Sequence, residues 1–314
     1  MAKSIYIGVN EVAREVKKIY VGVENVARKV KKGFIGVAGI ARQFFGEPEL
    51  VYYGTTTALS KARSELAATT VGNYALFGGY SEIVDAYTSD LVKSTPDELS
   101  VSRRRLAATT VGNYALFGGG TSYSSKVDSY TSDLVKSTAD NLVLGSQELA
   151  ATTVGDYALF GGGAYRSNSY NPYVVAYDKN LVKITADSDF TGRSELAATT
   201  LGDYALFGGG RSSSTLSVVE TYNKNLVKGT ASNLGMAKFR FAATSTQNYA
   251  LFGSGNGGLT NIDVYNKDLV KIDVANPNTN RYWQAATTVG NYALFGGGTY
   301  TSALSSVDVY QEID

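Results

Sequence analysis

The 314-residue sequence predicts an all-β fold, a six-bladed β-propeller preceded by a small segment of β-hairpins, and three observations predict it. A stretch, Leu-Ala-Ala-Thr-Thr-Val-Gly-Asn-Tyr-Ala-Leu-Phe-Gly-Gly over residues 106–119, returns in variant form to the C-terminus. Its Asn/Asp-Tyr-Ala-Leu-Phe-Gly core begins at Asn73, Asn113, Asp156, Asp203, Asn248 and Asn291, so copies lie about 40 to 47 residues apart, the period of a propeller blade. Each period also holds four short β-compatible runs divided by glycine and polar turn signals, enough for one four-stranded blade.

Residues 1–45 form a separate repeat. Ile5-Tyr-Ile-Gly-Val9, Ile19-Tyr-Val-Gly-Val23 and Gly33-Phe-Ile-Gly-Val37 recur at 14 residues, as do Val12-Ala-Arg14, Val26-Ala-Arg28 and Ile40-Ala-Arg42. The pairs Asn10-Glu11, Glu24-Asn25 and Ala38-Gly39 fit two-residue hairpin loops, which set Val9 opposite Val12 and Ile7 opposite Arg14. One face then gathers Ile5, Ile7, Val9, Val12 and Val16 with no second layer to cover it. So small a sheet needs a partner surface, either the propeller's flank or a larger assembly. Its lysines at strand ends (Lys17, Lys18, Lys29, Lys31, Lys32) read as devices against edge pairing rather than as a nucleic-acid site.

The propeller is assigned residues 46–314. Shifting the first blade by 40 residues lays Val51-Tyr52 on Leu91-Val92, so residues 49–54 are expected to supply the outer strand that the last blade lacks and to close the ring. Within each blade, Leu-Ala-Ala-Thr-Thr is the first strand and Tyr-Ala-Leu-Phe the second. The third is Val84-Asp-Ala-Tyr87 and its equivalents, down to Val307-Asp-Val-Tyr310. A tight polar turn such as Thr88-Ser-Asp90 leads to a fourth strand beginning Leu-Val-Lys.

This order, with a double glycine after a hydrophobic second strand, resembles the Kelch repeat over about residues 49–314. It departs from that pattern in having Leu at the usual outer-strand Trp and Gly253-Ser254 for one glycine pair. The N-terminal units Ile-Tyr-Val-Gly-Val and Val-Ala-Arg-Lys-Val-Lys-Lys are similar to segments at the front of tail and tail-fibre-like proteins of bacteriophages and related particles of Gram-positive bacteria. That likeness covers about residues 3–45.

Composition excludes several chemistries. Lys plus Arg (29) nearly equals Asp plus Glu (28), and a net charge of +1 gives no global field to gather nucleic acid. With no cysteine and no histidine, disulfides, thiolate nucleophiles, zinc–thiolate sites and histidine-held copper are ruled out. The lone Trp283 sits in no sialidase-type box, and most acidic residues recur at equivalent turn or third-strand positions, where a structural role is the expectation. No cofactor and no metal are expected. The runs such as Gly161-Gly162-Gly163 link strand to strand and so lack the helix N-terminus of a phosphate cradle. Nothing in the sequence is a signal peptide or a membrane span, which predicts synthesis in the bacterial cytoplasm and residence in a virion or tail-like particle.

Recognition is expected on the face that carries the second-to-third-strand loops, residues 120–126, 163–173, 210–217, 254–261 and 298–305, because variable loops on a repeated scaffold are the usual place for it. Candidate ligand residues there are Tyr123, Tyr165, Arg166, Tyr170, Tyr173, Arg211, Asn256 and Tyr300. A second set lies three residues before each first strand's leading residue: Arg63, Arg103, Arg193, Lys238 and Arg281, with Ser146 breaking the series. Such a basic ring serves either ligand or a repeated packing role. The function read from the sequence is a non-enzymatic adhesive component of a phage or phage-tail-like particle, docked through residues 1–45, oligomeric in its assembly, touching a host glycan or protein through the propeller loops. The alternatives are an intracellular Kelch-like adaptor and a carbohydrate-active enzyme with a carboxylate pair in a cleft.

Overall fold

The computed structural model describes the strand backbones within residues 6–46, and residues 56–312 apart from 187–188, 257–260, 276–279, 300 and 303. The chain divides into two compact units, Met1–Thr55 and Thr56–Asp314. Residues 49–54, to which the sequence assigns ring closure, lie outside the described residues.

The first unit is three antiparallel hairpins, Tyr6–Val9 with Val12–Glu15, Tyr20–Val23 with Val26–Lys29, and Lys32–Val37 with Ile40–Gly46. The register is the expected one, Val9 opposite Val12 and Ile7 opposite Arg14. A two-residue loop leaves no slack, so the pairing follows from the loop alone.

The second unit is a six-bladed β-propeller, and the described residues contain no helix. Blade two is typical: Ala107–Val111, Tyr114–Gly118, Val127–Thr131 and Lys136–Thr138 pair antiparallel in chain order. The first pair register runs from Ala107 opposite Gly118 to Val111 opposite Tyr114, turning through Gly112 at a φ of 51° that favours glycine. Blade six comprises Ala285–Val289, Tyr292–Gly296 and Val307–Gln311, three strands among the described residues.

Neighbouring blades pack by one repeated device. From blade two to blade six, the Phe of the second strand lies against the glycine that ends the preceding blade's second strand. A methyl on Gly118 would sit 2.7 Å from the Phe160 ring, and one on Gly208 2.7 Å from Phe252. The same Phe meets its own blade's third-strand Tyr edge-on, as Phe117 does Tyr130 at 6.1 Å. Sandwiched between neighbours, the third strands of blades one to five are buried on both faces, which explains runs such as Val127-Asp128-Ser129-Tyr130 with every residue inside. On the axis, first strands are tied by threonines: Thr69 to Thr110 and Thr109 to Thr153, Oγ to Oγ at 2.8 Å, and Thr152 to Thr200 and Thr244 to Thr288 at 2.7 Å.

The turns from third to fourth strand place Leu91, Leu134, Leu181, Leu226 and Leu269 at φ 61° to 63°. A left-handed leucine costs on the order of 1–2 kcal/mol. Four of these side chains pack against the apolar clusters between blades, which offsets that cost, whereas Leu91 of blade one is 43% exposed.

Candidate functional site

The basic ring of the sequence exists, and its side chains are buried. Arg63, Arg103, Arg193, Lys238 and Arg281 all have side chains at 0% exposure. Each is paired with the acid of its own third strand: Arg103 with Asp128 at 2.7 Å, Lys238 with Asp263 at 2.8 Å, Arg281 with Asp308 at 2.7 Å, Arg63 with Asp85 at 2.5 Å, and Arg193 with Glu220. Arg103 also donates to the Phe117 carbonyl at 3.0 Å and Arg193 to that of Phe207, so the cation clamps the first strand's lead-in to the second and third strands. Their burial and pairing fit the packing alternative, although the Nε atoms of Arg63, Arg103 and Arg281 take no hydrogen-bond partner.

Blade three supplies the internal control. Ser146 stands at the cation position, and Val175 stands where the other blades have Asp or Glu. Both partners of the ion pair are absent together, as burial demands, since either charge alone would be stranded. Ser146 Oγ instead accepts a 2.9 Å hydrogen bond from Asn171 Nδ2.

Two residues further on, immediately before each first strand's leading residue, all six blades turn a residue toward the axis: Glu65, Arg105, Glu148, Glu195, Arg240 and Trp283. All six have left-handed φ, between 52° and 59°. The turn is held by backbone hydrogen bonds passed from blade to blade. Arg105 N–H donates to Glu65 O, Glu148 to Arg105, Glu195 to Glu148, Arg240 to Glu195 and Trp283 to Arg240, at 2.8 to 3.0 Å. The collar surrounds a cavity of about 650 Å³ whose floor is the leading residues of the first strands, Leu106, Leu149, Leu196 and Phe241 among them.

The collar's charges are interlocked and partly exposed. Arg105 bridges Glu65 (2.8 Å) and Glu148 (2.7 Å), and Glu195 is held between Arg240 (2.6 Å) and Arg211 (2.5 Å). Burial pushes the Glu148 carboxyl above its ordinary value, and the adjacent charge of Glu195 adds to that, against the opposing pull of Arg105. The Arg240 guanidinium lies 4.6 Å from the centroid of the Trp283 ring, and Tyr282 packs edge-on to the indole at 5.1 Å. Trp283 nevertheless remains 60% exposed. A fixed, solvent-facing indole beside carboxylates and guanidinia can stack on a flat or ring-shaped solute while accepting and donating hydrogen bonds around its rim.

The loop candidates divide by position. Arg211 reaches the collar through Glu195 and lies 5.0 Å from the Phe239 ring, and Asn256 N–H donates to Phe239 O at 2.9 Å. Tyr123 is exposed and Arg166 lies 5.9 Å from the centroid of the half-buried Tyr165 ring. Tyr170 donates its hydroxyl to Ser212 O at 2.9 Å, tying the loop of blade three to that of blade four, and Tyr173 is half-buried with its N–H on Asn171 Oδ1. Tyr300 lies outside the described residues.

The architecture has a solved counterpart. The chain is similar to the structure of YjhT, with a TM-score of 0.63 and 11% identity, over 79% of this chain and 97% of that one. At that identity the likeness speaks to the fold alone. The chain matches no protein-family model and no curated protein.

Sequence reasoning passed over the collar, although a signal for it existed. In segments that otherwise repeat (Arg-Ser-Glu-Leu, Arg-Arg-Arg-Leu, Ser-Gln-Glu-Leu, Arg-Ser-Glu-Leu, Lys-Phe-Arg-Phe, Arg-Tyr-Trp-Gln) the third position changes between acid, base and indole. Variation in charge sign inside a regular frame marks a side chain that the frame does not use.

Proposed function

We propose that the chain is a non-enzymatic adhesive component of a phage or phage-tail-like particle, docked through residues 1–45 and binding a host-surface glycan at the collar and the loops around it. The observation that carries the binding half is the collar: six side chains on one rigid turn geometry, differing from blade to blade, around a cavity with an exposed indole on its rim. Carbohydrate suits it because a sugar ring offers an apolar face for Trp283 and hydroxyls for the Glu and Arg groups. The particle half rests on the resemblance of the N-terminal hairpin repeats to tail-protein segments and of the blades to Kelch repeats.

Adhesion of purified protein to intact host cells tests the reading. Trp283→Ala is expected to reduce adhesion at least tenfold while lowering the melting temperature by no more than a few degrees, since the indole is mostly in water beside Arg240 and Tyr282. Undiminished adhesion by a folded Trp283→Ala protein removes the collar as the binding site.

A further inference from the structure

Blade one departs from its repeat at an exposed aromatic. The third residue after each second-strand Phe is a glycine (Gly120, Gly163, Gly210, Gly255 and Gly298) except in blade one, which has Tyr80. The backbone frame is unchanged: Tyr80 N–H donates to Arg103 O at 2.7 Å, as Gly120, Gly163 and Gly210 donate to Ser146, Arg193 and Lys238 at 2.8 Å. At the five glycines a side chain has no room, because a methyl would meet atoms leading into the blade's own first strand at 2.7 to 3.0 Å. Blade one makes the room, and holds Tyr80 at a φ of 67° with 41% of its surface in water. A bulky residue in the left-handed region is a costly choice, an exposed ring recovers little of that cost by packing, and such positions cluster at binding sites.

Tyr80 walls a cleft of about 320 Å³ between blades one and two, lined otherwise by Ser102, Arg103, Arg104 and Thr121. No carboxylate is among these five. Thr121 Oγ1 accepts from Arg104 N–H at 3.2 Å and so keeps its own hydrogen to donate. The Arg104 side chain is 49% exposed, and its Nε lies 3.2 Å from Glu65 of the collar. Buried Arg103 also lines the cleft, with an Nε–H that takes no hydrogen-bond partner. Guanidinium, phenol and hydroxyl groups with no acid between them make a donor-rich site for a negatively charged group.

We infer that this cleft is a second subsite, taking an anionic group of the ligand bound at the collar, with Arg104 as its counter-charge and the Tyr80 ring as its wall. The inference rests on the reading of the collar as a glycan site and makes that glycan acidic, bearing a carboxylate or a phosphate. Arg104 joins the two subsites, since it contacts Glu65 of the collar and lines the cleft.

Adhesion of the full chain to intact host cells tests it with two variants. Tyr80→Gly installs the residue of the other five blades at a left-handed φ, so the melting temperature is expected to hold or rise while adhesion falls about tenfold. Arg104→Gln removes the charge at an exposed position and is expected to fold normally and to lose adhesion about tenfold as well. Competition at matched ionic strength compares glucuronate, glucose 6-phosphate and glucose. An acidic sugar is expected to displace the unmodified protein from cells at concentrations where glucose does not, and Arg104→Gln to erase that difference; which acid displaces it tells carboxylate from phosphate. Equal displacement by all three sugars overturns the subsite, and so does unchanged adhesion by both variants. If Trp283→Ala loses adhesion while both cleft variants keep it, the subsite falls and the collar reading stands; if all three keep it, both fall.

Discussion

At the scale of single residues, the most telling position is one that departs from its repeat. Ser146 and Val175 in blade three show what the buried cation and acid are for, because the blade that loses one loses the other and keeps its packing. Arg193→Ser alone would leave Glu220, 1% exposed, with its main counter-charge gone, and is expected to cost about 3–5 kcal/mol in denaturant unfolding. Adding Glu220→Val recreates blade three's arrangement and is expected to recover most of that loss; a double mutant no more stable than the single one would show that the pair is not interchangeable with an apolar contact. The regular spacing of Arg63, Arg103, Arg193, Lys238 and Arg281 was legible in the sequence, and so was the choice between packing and ligand. Their burial was not, because it depends on the partner acid lying across the blade, about 22 to 27 residues away in the chain.

At the scale of strands and loops, the sequence reading went furthest where chain geometry is tight. Two-residue turns and the two-residue side-chain period determine the hairpin registers and the blade strands, so both were readable from residue order. The longer loops were not, since their course depends on neighbours that sequence does not bring together. Tyr170 shows the difference: an expected ligand platform, it spends its hydroxyl on Ser212 of the next blade's loop. Tyr170→Phe is expected to destabilise the propeller by about 0.5–1.5 kcal/mol, the usual worth of such a bond. Tyr123→Ala, in a loop where the ring is exposed, is expected to stay within about 0.5 kcal/mol in the same thermal melts. Equal effects would mean that the Tyr170 bond contributes nothing to stability.

At the scale of the whole molecule, the buried carboxylates act together. Burial alone would raise the pKa of Asp85, Asp128 and Glu220, but hydrogen bonds from Ser60 and Lys93, from Ser100 and Arg103, and from Arg193 and Lys228 outweigh it and hold all three below their ordinary values of 3.8 and 4.5. A carboxylate whose folded pKa is depressed stabilises fully above its unfolded pKa and loses that contribution as pH falls through the folded one. The raised Glu148 works in the opposite sense, one group against these three and Glu312, which is also held below its ordinary value. The melting temperature is therefore expected to hold down to about pH 5 and to fall steadily below the ordinary carboxylate range; a flat profile down to about pH 3 would contradict the coupling. The collar carries a different consequence for the molecule as a whole. Its backbone is set by hydrogen bonds between main-chain groups and asks of the side chain only that it tolerate a left-handed φ. Branched Val, Ile and Thr, and Pro, are poor letters there, while nearly every other residue is readable. The six positions therefore form a ready-made combinatorial library: lineages can rewrite the rim one letter at a time, and an engineer can randomise it wholesale, while the scaffold's contribution to folding stays the same.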